Sequence, residues 1–265
     1  MAESGQSGAE IIQHHLQNLV IGERGSFWSL DVDTLLFSTL LGALFCGFFY
    51  FIAKRMQSGV PGFAQNVAEM AFDFIDNTVK SFFGESRADV GSLALTIFCW
   101  VLLWNIMDLI PVDLLPAIAS MFGIHHLKIV PSTDSNATFA ISITVITLTY
   151  IYAFKNNHGL FGLIKSMGGH PFESKNFLFK IILFPINLVM RIIEDMAKVI
   201  SLSLRLYGNL FAGELVFILI GLLPFFVQFL PGGAWAIFHI LIVSIQAYII
   251  MILTVVYISM VEAHH

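Results

Sequence analysis

Charged residues are scarce in this sequence: Asp, Glu, Lys and Arg together make up 12% of its 265 residues. Ordinary soluble domains carry about twice that share, roughly 25%. With 57% of its residues hydrophobic, the chain lacks the polar groups to cover a water-facing surface, and lipid is its expected solvent. Basic residues are scarcer than acidic ones, 13 against 18, which excludes the basic patch that a nucleic-acid partner requires. Cysteine is nearly absent. Cys46 and Cys99 both fall inside apolar segments, so neither a disulfide framework nor a thiolate metal site is expected. The zinc-hydrolase HExxH, the nucleophilic GxSxG and the phosphate-binding Walker A loop are all missing, which removes the commonest catalytic readings. The histidine pairs His14-His15, His125-His126 and His264-His265 join adjacent residues, which do not share a helix face. No metal and no cofactor is expected. Residues 1–33 hold no apolar core of the signal-peptide kind, and they read as an external polar segment.

What is present is a series of apolar runs. A span needs roughly 20 residues to cross a hydrocarbon core of about 30 Å. Thr34–Ala53, Ser92–Ile110 and Ala137–Phe154 meet that length. Pro61–Phe83 mixes Glu69, Asp73, Asp76 and Lys80 with apolar residues at helical spacing, the pattern of an amphipathic helix at the interface or against another subunit. The stretch Asn176–Leu223 is different. Its roughly 48 residues would make about 72 Å of helix, more than twice the hydrocarbon thickness. Residues 191–207 contain neither Pro nor Gly, so a long, steeply tilted helix is expected. Pro224, Pro231, Gly232 and Gly233 predict a turn, and Ala234–Met260 a final antiparallel span. The expected fold is therefore an all-α polytopic membrane protein, with one helical domain over 34–260, about five crossings, and a tail at 261–265. Lys54 and Arg55 follow the first span and Lys155, Lys165, Lys175 and Lys180 the third, while only Arg24 precedes the first and only Lys128 follows the second. Basic residues cluster in cytoplasmic loops, which puts the N-terminus outside and the C-terminus inside.

Between Val199 and Val261 the strongly ionisable residues are Arg205, Glu214 and His239. An arginine at mid-membrane costs roughly 2.5 to 3.5 kcal/mol on insertion scales, and such residues usually face a bundle interior, a water cavity or an ion path. A structural ion pair or a snorkelling side chain is the plainer alternative. At about 100° per residue, Arg191, Glu194, Lys198, Ser201, Arg205 and Asn209 share one stripe, with Asp195 beside it. A polar stripe on an apolar helix calls for a polar or aqueous partner. Glu214, nine positions beyond Arg205, points to the opposite face and cannot be its intrahelical counter-ion. In the last span His239 and Gln246 are seven apart and share a face. If that span packs on the long helix, His239 and Glu214 can meet as a proton-exchanging pair; a hydrogen-bonded core histidine is the alternative. Asp108 and Asp113 are read chiefly as marking the outer end of the second span.

The run Ser201-Leu-Ser-Leu-Arg205-Leu-Tyr-Gly-Asn209-Leu-Phe-Ala-Gly-Glu214-Leu resembles the signature of subunit a of F-type ATP synthases. Ala236-Ile-Phe-His239 and Gln246-Ala, Ser58-Gly-Val-Pro61-Gly62, Asn105-Ile-Met-Asp108-Leu-Ile-Pro111 and Val130-Pro131-Ser132 extend the resemblance over nearly the whole chain. The resemblance implies a bacterial inner-membrane stator. Its tilted helix hairpin would lie against a ring of c subunits, and peripheral-stalk b subunits and the remaining ATP synthase subunits would be further partners. Arg205 would match the arginine that faces the ring carboxylates. Asn209, Glu214, His239 and Gln246 would line an outer half-channel, and Glu194, Asp195 and Lys198 an inner one. Some bacterial relatives have a glutamate where this chain has Arg191, which leaves Glu194 as the expected inner acid. Two other classes stand beside this reading. A secondary transporter would show repeats and broken helices, and no repeat is found. An intramembrane protease has no nucleophile or zinc motif here.

Overall fold

The computed structural model describes residues 20–21, 30–110, 130–156 and 177–263. A two-residue antiparallel pair comes first, β1 (Val20–Ile21) with β2 (Leu30–Asp31). Everything else is helical: α1 (Val32–Arg55), α2 (Phe63–Phe83), α3 (Ala88–Met107), a 3₁₀ turn at Pro131–Thr133, α4 (Ser135–Asn156), α5 (Phe177–Gly221) and α6 (Phe225–Ala263). Among the described residues, α1, α3, α4, α5 and α6 are long and apolar enough to cross a membrane. The chain is an all-α, multi-pass membrane protein. His14, His15, Asp113, His125, His126, Lys128, Lys165, Lys175, His264 and His265, with most of the leader and the loops that hold them, lie outside the described residues.

Local chemistry sets the helix ends. α1 has Asp33 in its first turn and Lys54 and Arg55 in its last, the charge order that a helix dipole favours. α2 stops at Gly84, whose φ of 74° lets its N–H reach the Lys80 carbonyl at 2.8 Å; a side chain there would be strained. α4 is capped by Asp134, whose Oδ1 accepts from the Asn136 N–H at 2.9 Å, satisfying one of the orphan donors of its first turn.

The long apolar stretch is one helix. At 45 residues, α5 is about 67 Å long, so it cannot stand upright within the hydrocarbon. The last span departs from expectation. Pro231, Gly232 and Gly233 do not form a turn but lie inside α6, which runs for 39 residues from Phe225. In hydrocarbon no water competes for backbone groups, so a helix absorbs proline and glycine that would break it in water. The turn is confined to Leu222–Pro224. Gln228 Nε2 donates there to the Gly221 carbonyl at 2.9 Å and the Leu223 carbonyl at 2.7 Å, satisfying acceptors that α5 leaves open.

Two packed layers hold the bundle. At one end, Ile75 and Val79 of α2 meet Val90, Ala94 and Leu95 of α3 and Met251, Val255 and Ile258 of α6. The amphipathic helix thus buries Ala68, Ile75 and Val79 on its own chain, while Phe63, Met70 and Phe72 stay exposed. In the second layer Leu202, Leu206 and Leu210 of α5, one turn apart, pack on Val101, Val145, Val243, Ala247 and Ile250. α1 approaches α3 closely at Gly42, where a Cβ would meet the Trp100 ring at 2.5 Å.

Candidate functional site

α5 presents two faces. Leu202, Leu206 and Leu210 are buried, whereas Ile193, Ile200 and Leu204 are about half exposed. The polar stripe Arg191, Glu194, Lys198, Ser201, Arg205 and Asn209 runs along the seam between them, as the spacing predicts. At its lower end the charges neutralise one another. Lys198 Nζ lies 2.6 Å from Glu194 and 3.3 Å from Asp195. Arg191 lies 3.3 Å from Asp195 and 3.8 Å from Glu194. Tyr150 of α4 donates to Asp195, and Lys198 sits 5.3 Å over the Tyr257 ring of α6. Glu194 is half exposed and Asp195 largely enclosed. Neither tyrosine was foreseen from the sequence, because both reach the stripe from other helices.

Seven residues above Lys198, about 10 Å along the axis, stands Arg205. It is half-buried and makes no hydrogen bond or ion pair among the described residues. One turn on, Asn209 donates to Gln246 Oε1 of α6 at 2.8 Å. Ser201, on the stripe below Arg205, is exposed.

Glu214, His239 and Gln246 are all buried, and they lie where α3, α5 and α6 meet. Glu214 is on the side of α5 opposite Arg205, as its spacing requires. The expected pairing of His239 with Glu214 is corrected: His239 Nε2 is 2.6 Å from Asp108 Oδ2, beyond the end of α3. The cause is steric. The His239 ring enters the volume a Gly213 Cβ would occupy, its Cε1 nearest that position, with Phe217 edge-on at 5.3 Å and Trp235 stacked at 6.3 Å. That position turns Nε2 toward α3. Asp108 is therefore part of the site rather than only a boundary marker. Nearby, Asn105 Nδ2 donates to the Val243 carbonyl at 3.3 Å, and Thr138 and Ser203 hydroxyls bond across α4 and α5 at 3.2 Å. The site is thus two polar groups, one on the seam and one in the interior, separated along α5 by a single unmatched guanidinium. Among the described residues no three His, Cys, Asp or Glu side chains gather as a metal site.

Comparison with known proteins gives the family. The family described as ATP synthase A chain matches residues 35–259. The chain belongs to that family. ATP synthase A chain relatives align end to end: ATP synthase subunit a of Dichelobacter nodosus is 66% identical over 265 residues, covering 100% of both chains. The Alkalilimnicola ehrlichii ATP synthase subunit a is 48% identical, covering 98% of each, and that of Coxiella burnetii is 47% identical, covering 100% of this chain and 99% of its own. As an ATP synthase A chain, this protein is a membrane-sector component of that complex.

Proposed function

We propose that the chain is the proton-conducting stator of an F-type ATP synthase, with Arg205 facing the carboxylates of a rotating c-subunit ring. The observation that carries this reading is a guanidinium held half-buried at the seam between the packed and open faces of α5, with no acid among the described residues to neutralise it. A permanently charged group so situated calls for an external anion. The open apolar face beside it suits a ring of helices with one acid each.

The mechanism follows from charge. At about 4 Å and an effective dielectric near 20, a guanidinium and a carboxylate attract by about 4 kcal/mol, enough to hold a ring acid ionised. A proton delivered from the Asp108, His239, Glu214, Asn209 and Gln246 side neutralises the next acid, which then enters lipid uncharged. On the other side of Arg205, the approach of a protonated acid drives release toward Lys198, Glu194 and Asp195. Arg205 keeps the two paths from joining. Each charge moved is worth about 2.3 kcal/mol per 100 mV. Peripheral-stalk b subunits would hold the chain against the torque, and nucleotide chemistry belongs to partner subunits. The N-terminus is outside, the C-terminus cytoplasmic, and the membrane the bacterial inner membrane. The ion is H⁺.

The test is Arg205→Ala in inverted membrane vesicles. ATP-driven proton pumping falls to background, while ATP hydrolysis by detached catalytic subunits persists. Pumping at the unaltered rate would overturn the reading.

A further inference from the structure

A crevice of about 700 Å³ opens between α1, α3 and α4, and neither Arg205 nor any other residue of its stripe is among the residues lining it. Its walls are largely aliphatic, with Leu35 of α1, Leu93 and Ile97 of α3, and Ile141, Val145 and Leu148 of α4. Its polar end, where α1 and α4 begin, carries Asp31, Thr34 and Asp134. Asp134 is 5% exposed; Thr34 hydrogen-bonds its carboxyl, and the Asp31 carboxyl lies within bonding reach. Among the described residues, no lysine or arginine lines the crevice. Burial pushes the Asp134 carboxyl above its usual range, and the neighbouring Asp31 adds to the effect. A cation held between two neighbouring carboxyls favours their charged form.

We propose that this crevice holds one phospholipid with a primary ammonium headgroup, phosphatidylethanolamine, its acyl chain along the aliphatic walls and its ammonium between Asp31 and Asp134. In a chain that spans a membrane, hydrocarbon is the fluid that meets such an opening. The aliphatic walls suit an acyl chain lying along them. Charge selects the headgroup. An anionic lipid would meet two carboxyls, while an ammonium would pair with them. The site rests only on the chain crossing a membrane, not on the role of Arg205.

The test uses the whole ATP synthase complex in vesicles containing either phosphatidylethanolamine or phosphatidylglycerol with a photoactivatable acyl chain, and reads labelled peptides by mass spectrometry. Phosphatidylethanolamine labels peptides holding Leu93, Ile97 and Val145 about fivefold more than phosphatidylglycerol, the preference expected of roughly 1 kcal/mol of charge pairing. The double substitution Asp31→Asn and Asp134→Asn brings the two lipids level. Ala140→Phe, which fills the crevice, removes labelling by both, while peptides holding Leu219 and Ile237 label as before. Equal labelling of the unaltered complex by the two lipids, or cross-links to another subunit's helix in place of lipid, would overturn the proposal. That comparison decides even if a variant fails to assemble.

Discussion

At the residue scale, the least replaceable contact is the one between Gly213 and His239. The imidazole occupies the space of an absent side chain, and that contact aims its Nε2 at Asp108. Gly213→Ala is expected to displace the ring and break the bond. Asp108→Asn keeps the shape and removes the charge. Both should slow proton pumping by about tenfold or more, the scale of losing a buried, charge-assisted hydrogen bond. Pumping rates followed from pH 6 to 9 separate them. Asp108→Asn shifts the profile, whereas Gly213→Ala lowers it throughout. If Gly213→Ala pumps normally, the packing account fails.

At the scale of the element, α2 offers an electrostatic test outside the membrane-spanning helices. Hydrogen bonds from Lys80 and then Ser86 hold the Asp76 carboxyl below its usual value. A carboxyl lowered in the folded state contributes stability above its unfolded value near 3.9, and that stability is lost as pH falls through the lower folded value. Amides near the α2–α3 turn should therefore lose protection, relative to the intrinsic exchange rate at each pH, as the pH drops below about 4, and Asp76→Asn should abolish that dependence. The helices themselves were legible in the sequence because apolar runs bounded by Lys54-Arg55 or Lys155 are one-dimensional signals. Arg205 and Glu214 were legible as opposite faces because nine residues is two and a half turns. The Pro231-Gly232-Gly233 segment was misread because turn chemistry learned in water does not hold where lipid replaces it. The Asp108–His239 bond joins residues 131 apart, and Tyr150 meets Asp195 across 45. Neither pairing leaves a periodic trace.

On the scale of the whole molecule, α5 has an inward side, locked to α3, α4 and α6, and an outward side that, among the described residues, stays exposed. The two sides predict opposite behaviour. Leu206→Ala removes a side chain 1% exposed from the packed layer and should destabilise the bundle by about 2 to 5 kcal/mol, read as a lower midpoint of thermal unfolding in detergent. Leu204→Ala, on a residue 52% exposed, should leave that midpoint within error and change only pumping by the assembled complex. A matching loss of stability at Leu204 would mean that its face is not the open one.

The three-residue join Leu222–Pro224, braced where Gln228 grips two carbonyls, has a mechanical consequence. A hinge that short stores no slack, so the two longest helices respond as a single bent lever. A sideways push on one arm arrives undiminished on the other, and through Asn105 and Asp108 it passes into α3.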